Sequence, residues 1–353
     1  MSALPLLWAL ALCSPASAQT AAQAGANAAE PNAVEQVLAE FERVPLVAIG
    51  EQHRRAEVHE FLAALLAHPR FGRAVDDIVV EFGNALYQPL ADRYVAGEDV
   101  PAAELRRIWR DTGQWLVWDS PLYEQFFAHV RALNLARPPE ERVRVLLGDP
   151  PIDWAKVATA ADYRRFAERD AFYAEVVERE VLEKDRRGLL VVGSMHLMRR
   201  GPLDRPLPGG AGVAALLEQH APGALHVVWT LPAAAELASK LGFERAPAYR
   251  ALGDDALGAQ SYGLLVPASL LVLVDGEWKP LGEAKWPPMR AVVDALLWLG
   301  PEEHSVDPAP SIYREPEYER ELRRRAPILK EVYGMDFLPE LEELLAKSAT
   351  TSK

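Results

Sequence analysis

The sequence predicts an α/β fold, with an open sheet and a site in the crevice at the carboxyl ends of its strands. Three observations carry that expectation. Short apolar runs alternate with segments of helical period. The runs are apolar throughout rather than alternating, as strands buried on both faces are. Four of them end on chemistry-bearing residues: Leu46-Val47-Ala48-Ile49-Gly50 runs into Glu51-Gln52-His53, Ile78 to Val80 into Glu81, Val145 to Leu147 into Gly148-Asp149, and Leu189 to Val192 into Gly193-Ser194-Met195-His196. Open α/β sheets place ligands at that edge. Two of the four are strand-Gly-x-x-His units, in which glycine is expected to make the turn.

In chain order, Met1 to Ala18 reads as an export signal: Pro5 to Cys13 is almost wholly apolar, and Ala16-Ser17-Ala18 precedes Gln19. The segment before Pro5 lacks Lys and Arg, and Leu12 beside Cys13 is too large for a lipoprotein site. The chain is therefore expected to be exported, periplasmic or secreted. With Cys13 removed it keeps no cysteine and relies on its core rather than on disulfides. Residues 19 to 31 read as a disordered, Ala-rich leader. A main domain is expected over 32–301 and a helical C-terminal extension over 302–353.

Within the main domain, Pro31 to Arg43 predicts a first amphipathic helix. Ala56 to Ala67, with Val58, Phe61, Leu62, Leu65 and Leu66 at helical spacing, predicts a second whose amino end faces the site. His59 on that helix reads either as a pocket group or as a helix-face histidine. Aromatic residues crowd the stretch from Tyr87 to Phe127, as core or as the lining of a cavity. Pro150-Pro151 delays the helix after the third strand, leaving a shaped loop in which Asp149 and Asp153 read as caps and Asx-turns as readily as catalytic groups. Further strands are expected at Leu225 to Leu231, Ser269 to Val274 and Ala295 to Leu299. Leu241 to Pro267, broken by glycines, reads as loops over the site or an edge excursion.

Composition excludes several classes of function. A formal net charge of −13 argues against nucleic acid, whose binding needs Lys and Arg to neutralise phosphates. A chain 50% hydrophobic and 25% charged matches a globular protein, and no run after the leader is long and apolar enough to cross a membrane.

The ordered set Gly50-Glu51-Gln52-His53, His59, Glu81, Gln88/Tyr94/Gly97 with following tryptophans, and Gly193-Ser194-Met195-His196 resembles the haem-uptake ChaN-like proteins, in a superfamily with the Tiki and TraB proteases and the erythromycin esterases. Arg169-Asp170-Ala171-Phe172-Tyr173-Ala174 resembles the Arg-Asp-x-x-Met-Ala helix of the esterase branch, with Tyr173 in place of Met, and Asp294 to Pro301 resembles its closing strand. The resemblance spans roughly residues 45 to 301. It implies a three-layer architecture, a mainly parallel central sheet with helices on both faces, and a working group at Glu51, His53, Glu81, Arg169 and His196. It leaves the chemistry open, since the Tiki-type members are metal-dependent, the ChaN-like ones bind haem and the esterases use no metal.

Residue chemistry leaves three arrangements. With a divalent metal, His53, His196 and Glu51 would supply nitrogen and oxygen ligands. Without one, a histidine oriented by a carboxylate would activate water, and Arg169 would hold the developing oxyanion. With haem, His59, Tyr87 or Tyr94 would be axial ligands. Ser194 lies in Gly-Ser-Met-His, outside G-x-S-x-G, so no nucleophile signature is present. The leading expectation is hydrolysis of an ester or amide in a small-molecule or peptide substrate; the alternative is a non-enzymatic haem-binding protein in iron uptake.

Overall fold

The computed structural model describes residues 32–204, 210–267, 270–274 and 277–351. The expected signal and leader, residues 1 to 31, lie outside them. The strands are β1 (Leu46–Glu51), β2 (Asp77–Asn84), β3 (Arg144–Asp149), β4 (Gly188–Gly193), β5 (Leu225–Thr230), β6 (Ala248–Ala251), β7 (Leu271–Val274), β8 (Glu277–Pro280) and β9 (Ala295–Trp298). Seven form a central sheet in the order β3-β2-β4-β1-β5-β9-β6. All its pairings are parallel except β6 with β9. The stretch read as loops or an edge excursion thus contributes the antiparallel edge strand β6. The run from Ser269 supplies β7, which pairs with β8 in a separate hairpin.

Period two along the strands sorts the core into two layers. Val47, Ile49, Ile78, Val80, Leu189 and Val191 pack with the helices Ala33–Glu40, Ala56–Ala67 and Pro121–Ala136 on one face. Leu46, Ala48, Val79, Leu190, Val192 and Val227 pack with Arg169–Glu180 and Val213–His220 on the other. Both faces are covered, which explains why the strands read as unbroken apolar runs. Each parallel pairing requires a crossover, and helices supply it.

A third cluster joins Trp115, Ile152, Trp154 and Tyr163 to Tyr318, Leu322 and Leu329 of the C-terminal helix Pro316–Tyr333. Arg325 reinforces that contact, donating to Asp111 Oδ1 at 2.6 Å from a side chain 6% exposed. No helix among the described residues is long and apolar enough to cross a membrane.

Candidate active site

β1 and β4 are neighbours at the centre of the sheet, with Glu51 opposite Gly193. The two Gly-x-x-His units therefore leave the sheet side by side, although 143 positions separate their histidines (196 − 53). Gly50 and Gly193 lie inside the strands rather than in turns. Their lack of a side chain makes room for the opposite unit. A Cβ on Gly50 would lie 2.6 Å from Ser194 Oγ, and one on Gly193 would lie 2.9 Å from His53 Cε1 and 3.3 Å from Glu81 Oε2.

The loop after β1 is held from several sides. Gln52 Nε2 donates to the Thr230 carbonyl at 3.1 Å. Arg55, 1% exposed, donates to the carbonyls of Leu231 and Glu302 and to Gln52 Oε1. Arg54 and Leu116 both adopt left-handed backbone, φ 66° and 56°, which costs a non-glycine residue energy. Each is tied to the other segment: Arg54 Nη2 donates to the Leu116 carbonyl at 2.6 Å, and its N–H to Tyr123 Oη. His53 is thereby presented at the cleft with its ring edge-to-face on Trp118, centroids 4.7 Å apart.

Glu51 sits behind His53 and is fully engaged. His53 Nδ1 lies 3.3 Å from Oε2, while His59 Nε2 at 3.1 Å and Tyr123 Oη at 2.8 Å meet Oε1. Burial opposes its charge, but the hydrogen bonds from the two imidazoles prevail and lower its pKa to about 2. Burial likewise opposes charge on His53; the hydrogen bond and field of Glu51 outweigh it and raise the His53 pKa above 6.5. Beside an ionised Glu51, Nδ1 carries the hydrogen and Nε2 is free to accept one.

Glu81, expected to close its strand, lies within β2, which runs on to Asn84, and sits between the two histidines. Its Oε2 accepts the Gly193 N–H at 2.6 Å; its Oε1 meets Arg169 Nη2 at 3.1 Å and His196 Nε2 at 3.4 Å. Burial works against the carboxylate, and the His196 and Arg169 charges hold its pKa well below the usual range. His196 turns Nδ1 to Asp170, 2.8 and 2.9 Å from its two oxygens. Burial opposes the imidazolium, yet the charge of Glu81 and the bond to Asp170 push the His196 pKa up to about 10. Both shifts are upward, and each is set by the carboxylates around the ring.

Arg169 departs from its expected role. It is 8% exposed, donates to Asp149 Oδ1 at 2.6 Å as well as to Glu81, and does not line the cleft. It neutralises two buried carboxylates instead of facing an oxyanion, leaving His196 as the cation at the cleft. Asp149 is fully buried and also accepts from the Gly113 N–H and Tyr173 Oη; burial raises its pKa despite Arg169. Asp153 is the Asx-type cap its sequence context suggests, accepting from the Ala155 N–H.

Sequence reasoning assigned no role to Asp170, Tyr123 or Trp118. Asp170 alone carried a local signal, a second charge beside Arg169 at the start of a helix. Asp170 Oδ1 also accepts the Val213 N–H at 2.7 Å, which fixes it between two helix amino ends.

The cleft holds about 240 Å³. Glu51, His53 and His196 form its polar side, and Trp229, Pro232, Leu265 and Pro267 its apolar side. Neither expected prosthetic group fits it well. No set of three or more His, Cys, Asp or Glu side chains among the described residues is arranged to hold a metal ion, and both Glu51 oxygens are already taken. The candidate haem ligands do not line the cleft. His59 is bound to Glu51, and Tyr94 lies under the Arg131 guanidinium, 4.9 Å from its ring centroid. Tyr87 donates to Asp111, and burial together with that carboxylate raises its pKa, away from the tyrosinate that haem iron takes. A larger groove of about 940 Å³ runs beside the C-terminal helices, but each of its five arginines, Arg106, Arg107, Arg110, Arg324 and Arg325, is already paired with an acid.

No protein-family model matches the chain, and no curated protein matches it. Solved structures similar to it include an erythromycin esterase variant in its open conformation, 12% identical, with 77% of this chain and 94% of that one covered and a TM-score of 0.47. Another is a succinoglycan biosynthesis protein, 9% identical, with 76% and 90% covered and a TM-score of 0.43. A third is ChaN of Campylobacter jejuni with cofacially bound haem, 14% identical, with 56% and 86% covered and a TM-score of 0.37. The esterase and ChaN bear names of two groups that the sequence motifs resemble.

Proposed function

We propose that the protein is a hydrolase that cleaves an uncharged ester or amide with water activated by His53. The observation that carries this reading is the pairing of two differently tuned imidazoles across Glu81. His53, backed by Glu51, offers a free Nε2 to a water molecule, and His196 keeps its proton to about pH 10. In this mechanism His53 takes a proton from water as it attacks the carbonyl carbon, and Glu51 stabilises the imidazolium that forms. His196 stabilises the developing oxyanion and then protonates the leaving group. Ser194 is no nucleophile, because its hydroxyl donates to the Glu51 carbonyl at 3.2 Å. The cleft volume and the positions of Tyr87 and Tyr94 give the haem-carrier reading no support. No step is assigned to a metal.

The pH dependence of kcat/KM on a chromogenic short-chain ester, corrected for spontaneous hydrolysis, tests the mechanism. Activity needs His53 neutral and His196 charged. It should therefore rise along a limb centred above pH 6.5, where the raised pKa of His53 lies, and fall again near pH 10. A rising limb near pH 4, the signature of a carboxylate base, would contradict it.

A further inference from the structure

We infer that the apolar side of the cleft is an acyl subsite, and that the substrates are esters of short, uncharged carboxylic acids. This rests on the hydrolytic reading above and goes beyond it by naming the substrate class. The first observation is the asymmetry of the cleft. Among the described residues its titratable groups, Glu51, His53 and His196, gather at the ends of β1 and β4, whereas Trp229, Pro232, Leu265 and Pro267 present no charge to a bound group. Those four come from the end of β5 and from the turn Tyr262–Leu265 with the residues after it, so an apolar chain extending from the reacting carbonyl would have one wall to run along.

The second observation is at the mouth. Large exposed apolar side chains are few among the described residues, yet one of them, Met195, 39% exposed, lines the cleft. With the apolar side of the cleft behind it, Met195 favours an apolar ligand over a charged one. Among the described residues no Lys or Arg lines the cleft to receive a substrate carboxylate, and the ionised Glu51 and Glu81 disfavour a second anion.

Volume limits chain length. At ~30 Å³ per water-sized group, a cleft of about 240 Å³ admits roughly eight such groups. About four belong to the ester itself, which leaves room for about four acyl carbons before the chain reaches solvent.

The test is kcat/KM for p-nitrophenyl acetate, butyrate, hexanoate and dodecanoate and for the charged p-nitrophenyl succinyl monoester, together with calorimetric binding of the matching straight-chain primary amides. Each methylene taken into the slot should raise kcat/KM about fourfold, up to butyrate or hexanoate, and dodecanoate should gain nothing more. Met195→Trp narrows the mouth from a partly exposed position and should move the optimum toward acetate. Turnover that is flat along the series, or highest for a succinyl ester, overturns the acyl subsite and leaves the hydrolytic reading standing. No turnover of any ester, with amide binding that tightens along the series, overturns the hydrolytic reading and leaves the subsite standing. Neither turnover nor graded binding overturns both.

Discussion

His53→Ala should remove turnover while leaving the fold in place. General acid–base catalysis contributes about 100- to 10,000-fold, and no other group in the cleft can take over the task. Glu51 is acceptor to His59 and Tyr123 and is buried, while His196 is already protonated. The side chain lost is 35% exposed and contributes little packing beyond its edge against Trp118, so the stability cost should be about 1 kcal/mol. Kinetics on the ester that wild type hydrolyses best, beside denaturant melts of both proteins, give the two numbers. A variant that kept more than about a tenth of wild-type kcat would show that His53 is not the base.

Arg169→Ala should have the largest effect on stability. Among the described residues the guanidinium is the only cation within hydrogen-bonding distance of Asp149, and it shares Glu81 with His196; both carboxylates are fully buried. Removing one partner of a buried ion pair typically costs about 3–5 kcal/mol, because the remaining charge is left uncompensated. The loss should depend on pH in a definite sense. Burial already raises the pKa of Asp149 in the presence of Arg169, and without it the folded-state pKa rises further above the unfolded value. A carboxylate of that kind destabilises increasingly as pH rises through its folded pKa. The gap between variant and wild type should therefore be wider at neutral pH than near pH 4. Urea midpoints at both pH values, with Arg169→Lys as an intermediate case, measure this. A gap below about 1 kcal/mol at neutral pH would mean that Arg169 is not the neutralising group.

Residues buried on both faces announced themselves, and residues that act across the fold did not. β1 through β5 were readable because strands covered by helices on both sides must be apolar throughout; Glu51 and Asp149 close β1 and β3, whereas β2 runs on past Glu81 to Asn84. β6 was not, because Ala248-Tyr249-Arg250-Ala251 is a four-residue edge strand with only Tyr249 buried. The run ending at Val274 read as a strand, but periodicity cannot say which sheet a strand joins.

The same limit applies to the site. The Gly-x-x-His repeat pointed to His53 and His196, and the register of β1 against β4 makes them neighbours. The purpose of the glycines was hidden, since the clash each avoids is with a residue more than a hundred positions away. Arg169 was recognised as part of the group, but nothing local in the sequence signalled that Asp149 would engage it as well as Glu81 and turn it from the cleft. Tyr123 and Trp118 gave no local signal among the many aromatics of their region and serve the site through long-range contacts with Glu51, Arg54 and His53.

The proposed mechanism requires the two histidines of one cleft to hold opposite protonation states at the pH of catalysis. Nitrogen NMR of imidazole-labelled protein, titrated from pH 5 to about pH 11 and assigned with His53→Ala and His196→Gln, measures both states. His196 should stay an imidazolium until about pH 10, while His53 gives up its proton above pH 6.5 and is left with its hydrogen on Nδ1. Two imidazoles titrating together close to pH 6.5 would contradict it.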